Sequence, residues 1–132
     1  MKKKKRKRPL KLLKKDAWAV FSQYIRIRDQ GVCFTCGVHK PWKEMHAGHF
    51  KHLPKECESF DERNVNTQCV GCNKYRGGKL DVYAERLVKR YGPEILEELS
   101  RMKHETRKYT RDEILKIIEK YKEKIGLIVW GI

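Results

Sequence analysis

Apolar residues recur at three- and four-residue steps between Asp16 and Asp29. Ala17, Trp18, Val20, Phe21, Tyr24, Ile25 and Ile27 therefore share one side of a helix, which Gly31 stops. Cys33 to Gly37 reads as a tight turn. Met45–Phe50 and Asn64–Gln68 read as the two strands of an irregular hairpin, although neither alternates cleanly, and Pro54 and many charges fill the loop between them. A short helix is expected to start around Cys69 to Cys72, to carry Asn73 and Tyr75, and to end at Gly77 and Gly78. The next runs over Leu80–Tyr91, with Gly92 just past its end and Pro93 in the first turn of a third, whose apolar positions are Ile95, Leu96, Leu99 and Met102. Thr110 and Glu113 form a capping box ahead of Ile114, Leu115, Ile117, Ile118, Tyr121 and Ile125. The uncharged end, Leu127 to Ile132, would be an aggregation hazard if exposed and is expected to pack on the core or on a partner.

A chain of 132 residues has room for one compact domain, and its 37% charged and 10% aromatic residues suit a polar but folded one. The net charge of +15 favours a polyanionic partner, because each neutralised phosphate releases a counterion. Ten of those charges lie within residues 1–15, which contain no acid. We read 1–15 as a basic disordered arm lying along phosphates, or else as a solubilising tail, 16–92 as the core and 93–132 as a helical extension. Lysines break up Leu10, Leu12 and Leu13, so no secretory signal is expected. No stretch is long enough for a membrane span, and the expected location is the cytoplasm.

Two C-x-x-C pairs, Cys33 and Cys36, then Cys69 and Cys72, match the ligand arrangement of a tetrahedral four-thiolate zinc site. Disulfide bonding competes less well, because five cysteines occur without a secretion signal. A redox role is weakened because the motif occurs twice outside a thioredoxin-like context. Four thiolates leave no open position, so this zinc would be structural. Cys57 has no partner at ligand spacing and reads as an ordinary thiol.

Between the pairs stand His46-Ala47-Gly48-His49 and Asp61-Glu62-Arg63-Asn64, and Asn73 follows Cys72 directly. That order of histidine, asparagine and a C-x-x-C followed by asparagine resembles the HNH nucleases of the ββα-metal fold. More narrowly, Tyr24-Ile25-Arg26, Ala47-Gly48-His49-Phe50, Phe60-Asp61-Glu62-Arg63-Asn64, Gln68-Cys69 and Cys72-Asn73 look like the NinG/Rap family of phage recombination proteins, over about residues 17–92. The resemblance implies an α+β fold, a zinc-bound ββα core with a helix before it and helices after it. It also implies an endonuclease, dependent on magnesium or manganese, that cleaves branched DNA such as Holliday junctions or D-loops. In that scheme His49 is the general base, a task that neutral imidazole suits. Asn64 ties down the loop and orients the histidine, and Asn73 offers its carbonyl to the catalytic cation.

The chain departs from the commoner HNH pattern at Gly48, where that pattern has an aspartate ligand. His46 or Asp61 could add a ligand, but each reads equally as an ordinary strand or turn residue. Lys74, Arg76, Lys79, Arg86, Lys89 and Arg90 are candidates for phosphate contacts, or are solvated helix faces. Two incisions across a junction would make a homodimer attractive. The rival readings are a sequence-specific HNH nicking or homing enzyme, for which no base-reading domain is evident, a non-catalytic zinc module that binds nucleic acid, and an assembly protein.

Overall fold

A computed structural model describes residues 6–52, 60–104 and 108–130. Pro54, Cys57, the first five residues of the basic arm and residues 131–132 of the apolar tail lie outside them.

The first helix, α1, spans Leu10–Arg28 and so starts well before Asp16, inside the segment expected to be a disordered arm. Leu10, Leu13 and Ala17 continue the apolar stripe at helical spacing, while Lys11 and Lys15 stay exposed between them. Leu13 and Ala17 are buried with Ile114, and Arg8 reaches Asp16 at 2.6 Å just outside the helix. The lysines that disguise this start in the sequence are the solvent face of the helix.

At the other end the amide of Gly31 donates to Arg26 O at 3.2 Å, with Gly31 at a φ of 71°. Any Cβ there would collide with the carbonyl of Lys40, so glycine is required both by its backbone angle and by close approach. The chain then folds over itself. Cys33 N donates to Val38 O at 2.8 Å and Phe34 N to Thr67 O at 2.8 Å, which docks the first cysteine turn against the sheet.

That sheet is an antiparallel pair, β1 (His46–His49) and β2 (Val65–Gln68), with His46 opposite Gln68 and His49 opposite Val65. All four residues of β2 are buried, which explains why its sequence does not alternate. A single π-helical turn, Gly71–Tyr75, begins within the second cysteine pair and carries Cys72, and α2 covers Leu80–Tyr91 with the bounds expected from the sequence. The third helix, α3, covers Ile95–His104 and α4 covers Arg111–Trp130.

Two apolar clusters flank the sheet. Phe21, Tyr24, Ile25, Val65 and Tyr121 join α1, β2 and α4, whereas Phe50, Tyr83, Leu87, Ile95 and Leu99 join the end of β1 to α2 and α3. Glu62, just before β2, accepts the hydroxyls of Tyr24 at 2.9 Å and Tyr121 at 3.1 Å and the ammonium of Lys124 at 3.0 Å. The last helix is therefore part of the same core as the first.

The capping box is formed as expected. Glu113 N donates to Thr110 Oγ1 at 3.2 Å, and Thr110 N to Glu113 Oε1 at 3.1 Å. Of the two expectations for the apolar tail, packing on the core does not hold over its described part, and packing on a partner stays open. α4 continues to Trp130, and Leu127, Ile128, Val129 and Trp130 all stay exposed, Trp130 at 77%. α4 packs on α1 through Ile114, Ile117, Tyr121 and Ile125, and these exposed residues lie beyond the last of those contacts.

Candidate functional site

The four predicted zinc ligands meet. The sulfurs of Cys33, Cys36, Cys69 and Cys72 all lie within 4.8 Å of one another, with Cys36 and Cys69 3.7 Å apart. A tetrahedral zinc with bonds of about 2.3 Å requires sulfurs about 3.8 Å apart, so the cluster fits that ion. The sulfurs are oriented by local backbone: Cys36 N points at Cys33 Sγ and Cys72 N at Cys69 Sγ, each at 3.4 Å. Burial opposes ionisation of Cys33, but the Thr35 hydroxyl and nearby backbone amides bring its thiol down to about 6. Burial, together with the neighbouring sulfurs, pushes Cys36 up to about 12. A cation at the centre would relieve this crowding by stabilising several thiolates at once.

Beside this frame, His46, His49, His52, Asn73, Lys74, Gly77 and Gly78 line an open cleft of about 420 Å³. Two of the expected residues, His49 and Asn73, therefore share one space. His49 sits on the α1 side of β1, stacked on Trp18 with ring centroids 4.7 Å apart. Burial, and then the proximity of His52, pushes the imidazole down to about 4, so it is neutral near pH 7.

Asn73 enters from the π-helical turn, its Nδ2 3.1 Å from His46 Nδ1. If that ring nitrogen is the acceptor, the contact directs Asn73 Oδ1 elsewhere, and this oxygen borders Gly48: a Cβ added to Gly48 would meet it at 3.0 Å. The same Cβ would collide with the Gln68 side chain, so the position where the commoner HNH pattern has aspartate has no room for one here. Gly48 is held from the far side as well, because Tyr83 OH donates to its carbonyl at 2.7 Å.

Asn64 does not line the cleft. It is buried behind the exit of β1, accepting from Lys51 N at 2.8 Å and donating to Lys51 O at 2.9 Å. It thus fixes the chain two residues beyond His49. Asp61 closes the turn into β2 by accepting from Arg63 N at 2.8 Å and from the Arg63 guanidinium at 2.9 Å.

The six basic candidates divide. Lys74 is at the cleft. Arg86, Lys89 and Arg90, with Arg28, line a second hollow of about 590 Å³ between α2 and the first cysteine turn. Arg76 and Lys79 border neither of these two spaces.

From the sequence His46 reads equally as an ordinary strand residue, and nothing in the motif points to His52. The spacing of 46, 49 and 52 is a faint signal, since it fits neither face of a strand. β1 has β2 on one side only, so residues from both of its faces can border a cleft along the open edge. Among the described residues no helix is long and apolar enough to cross a membrane.

The family model described as the bacteriophage lambda NinG protein matches residues 1–128. Protein ninG of Escherichia phage 933W is 33% identical over 113 residues, which cover 84% of this chain and 55% of that protein. Protein ninG of Escherichia phage lambda is 31% identical over 113 residues, covering 84% and 54%, and that of Salmonella phage P22 is 31% identical, covering 84% and 55%. The chain thus spans about half the length of these curated relatives. No solved structure matches it significantly. With the family model matched over nearly its whole length, the chain belongs to the NinG family.

Proposed function

We propose that this chain is a metal-dependent endonuclease of the HNH type that cleaves branched DNA, such as Holliday junctions or D-loops, during phage recombination. The observation that carries the reading is the convergence of His49 and Asn73 on one cleft, beside a four-cysteine frame and in the order strand, strand, turn helix. The NinG/Rap likeness supplies the branched substrate and the recombination setting.

His49 is held neutral and by its ring stack, so it can take the proton from a water that attacks the scissile phosphorus while the bond to the leaving oxygen breaks. Magnesium or manganese, when bound, would neutralise the charge that builds on the phosphate and the leaving oxygen. Asn73 Oδ1 would hold it. Asn64 and Tyr83 act on position alone, fixing the backbone at Lys51 and Gly48 on either side of His49. Lys74 at the cleft, and Arg86, Lys89 and Arg90 around the second hollow, would hold phosphates.

One feature favours a second reading. A half-buried histidine stacked on tryptophan is also what a purely structural residue looks like, which suits a non-catalytic zinc module that binds nucleic acid. Incubating purified protein with linear duplex, single strands and a four-way junction, with and without magnesium, separates the readings. Magnesium-dependent incision of the junction in preference to the others is expected. Binding of all three without incision would establish the second reading, and equal cutting of all would remove the preference for branches.

A further inference from the structure

Gln68 is fully buried at the end of β2, and its Oε1 is the one buried side-chain polar atom without a hydrogen-bond partner among the described residues. Such an atom needs a physical reason, because burying an unpaired carbonyl opposes folding. Its orientation is fixed. Nε2 donates to Gly78 O at 2.7 Å and to Thr35 Oγ1 at 3.2 Å, and turning the amide over would set its oxygen against the Gly78 carbonyl. Oε1 is thereby locked toward Gly48, in the space a Cβ there would occupy, and Asn73 Oδ1 borders the same point.

Two amide oxygens thus converge beside the cleft that carries His46 and His49, that of Gln68 with its NH2 group bonded to Gly78 and Thr35, and that of Asn73 when His46 Nδ1 is the acceptor of its NH2 group. We propose that Gln68 Oε1 is, with Asn73 Oδ1, a protein ligand of the divalent cation, taking the place of the aspartate that Gly48 excludes. This inference rests on the nuclease reading and deepens it. Neutral carbonyl oxygens suit a hard cation, and they leave its double charge for phosphate oxygens to neutralise. The protein alone should therefore bind the ion weakly and bind it more tightly once DNA is present.

The test is titration of zinc-loaded protein with Mn2+, following the free ion by electron paramagnetic resonance, with Asn73→Ala defining the site. Gln68→Ala should lower the Mn2+ affinity of that site by about 10- to 100-fold, a typical loss when a metal site is disturbed. Gly48→Asp combined with Gln68→Ala should recover it, because the aspartate then enters the vacated space. Unchanged affinity in Gln68→Ala, with zinc content and melting temperature also unchanged, would overturn the assignment while leaving the nuclease reading intact. Absence of any Asn73-dependent site in wild type, both without DNA and with a non-cleavable four-way junction bound, would overturn the assignment together with the metal requirement. Should Gln68→Ala fail to fold, the wild-type Gln68 13Cδ resonance decides: a shift on adding Mg2+, together with Asn73 13Cγ, supports ligation, and an unmoved signal refutes it.

Discussion

At the scale of single residues the proposed chemistry depends on how His49 is held. Trp18 covers one face of its ring and burial lowers its proton affinity from the ordinary 6.5 to about 4. The unfolded chain therefore binds a proton at a pH where the folded one does not. The resulting stability is fully present above about pH 6.5 and is lost as the pH falls toward 4. NMR titration of the zinc-loaded protein without magnesium should give a His49 midpoint near 4, and Trp18→Ala should move it up toward 6.5 by exposing the ring. A His49 midpoint at or above 6.5 in wild type would remove the environmental argument. The sequence names His49 through its motif, but not its environment: Trp18 lies 31 positions earlier, and only the packing of α1 on β1 brings them together. Gln68 is less legible still. It reads as a strand residue before a cysteine, and only the paired strands show that its side chain fills the space above Gly48.

Among the elements, those whose signals are local were readable. The bounds of α2 follow from the glycines on either side of it, and the capping box of α4 from two residues three positions apart. Thr110→Ala should lower stability by about 1 kcal/mol, as loss of an N-cap side chain typically does. A thermal melt should show that as a drop of a few degrees, and no change would mean that packing of Ile114 and Tyr121 alone sets the start of α4. Where the reading failed, a non-local contact had outvoted composition. Leu10 to Lys15 looks like part of a charged arm, yet burial of Leu13 against Ile114 makes it helix. The end of α4 reads as packing on the core or on a partner, and within this chain no described element covers it.

For the whole molecule, the four-cysteine frame and the cleft form one mechanical unit. The first cysteine turn docks on β2, the π-helical turn carries both Cys72 and Asn73, and Tyr83 of α2 holds β1 at Gly48. Removing zinc, by strong chelation or by Cys69→Ser, should therefore dissolve the compact fold and not merely the knuckle, since binding of such an ion is largely folding energy. Circular dichroism that stays native after verified zinc loss would contradict this. The basic residues make a separate prediction. If Arg86, Lys89 and Arg90 hold phosphates, replacing each with alanine should weaken DNA binding for all sequences alike and reduce the salt dependence by about one counterion apiece. Binding that is insensitive to all three would make them a solvated helix face.

The most direct measurement of the central claim is single-turnover cleavage of a four-way junction by zinc-loaded protein as magnesium is titrated, with His49→Ala beside wild type. Wild-type incision should rise from nothing to a plateau with magnesium. His49→Ala should bind the junction as tightly but cut it about 10²- to 10⁴-fold more slowly, the range expected for loss of a general base. Incision that persists unchanged in His49→Ala, or that needs no divalent cation, would contradict the assignment of this cleft as the catalytic site.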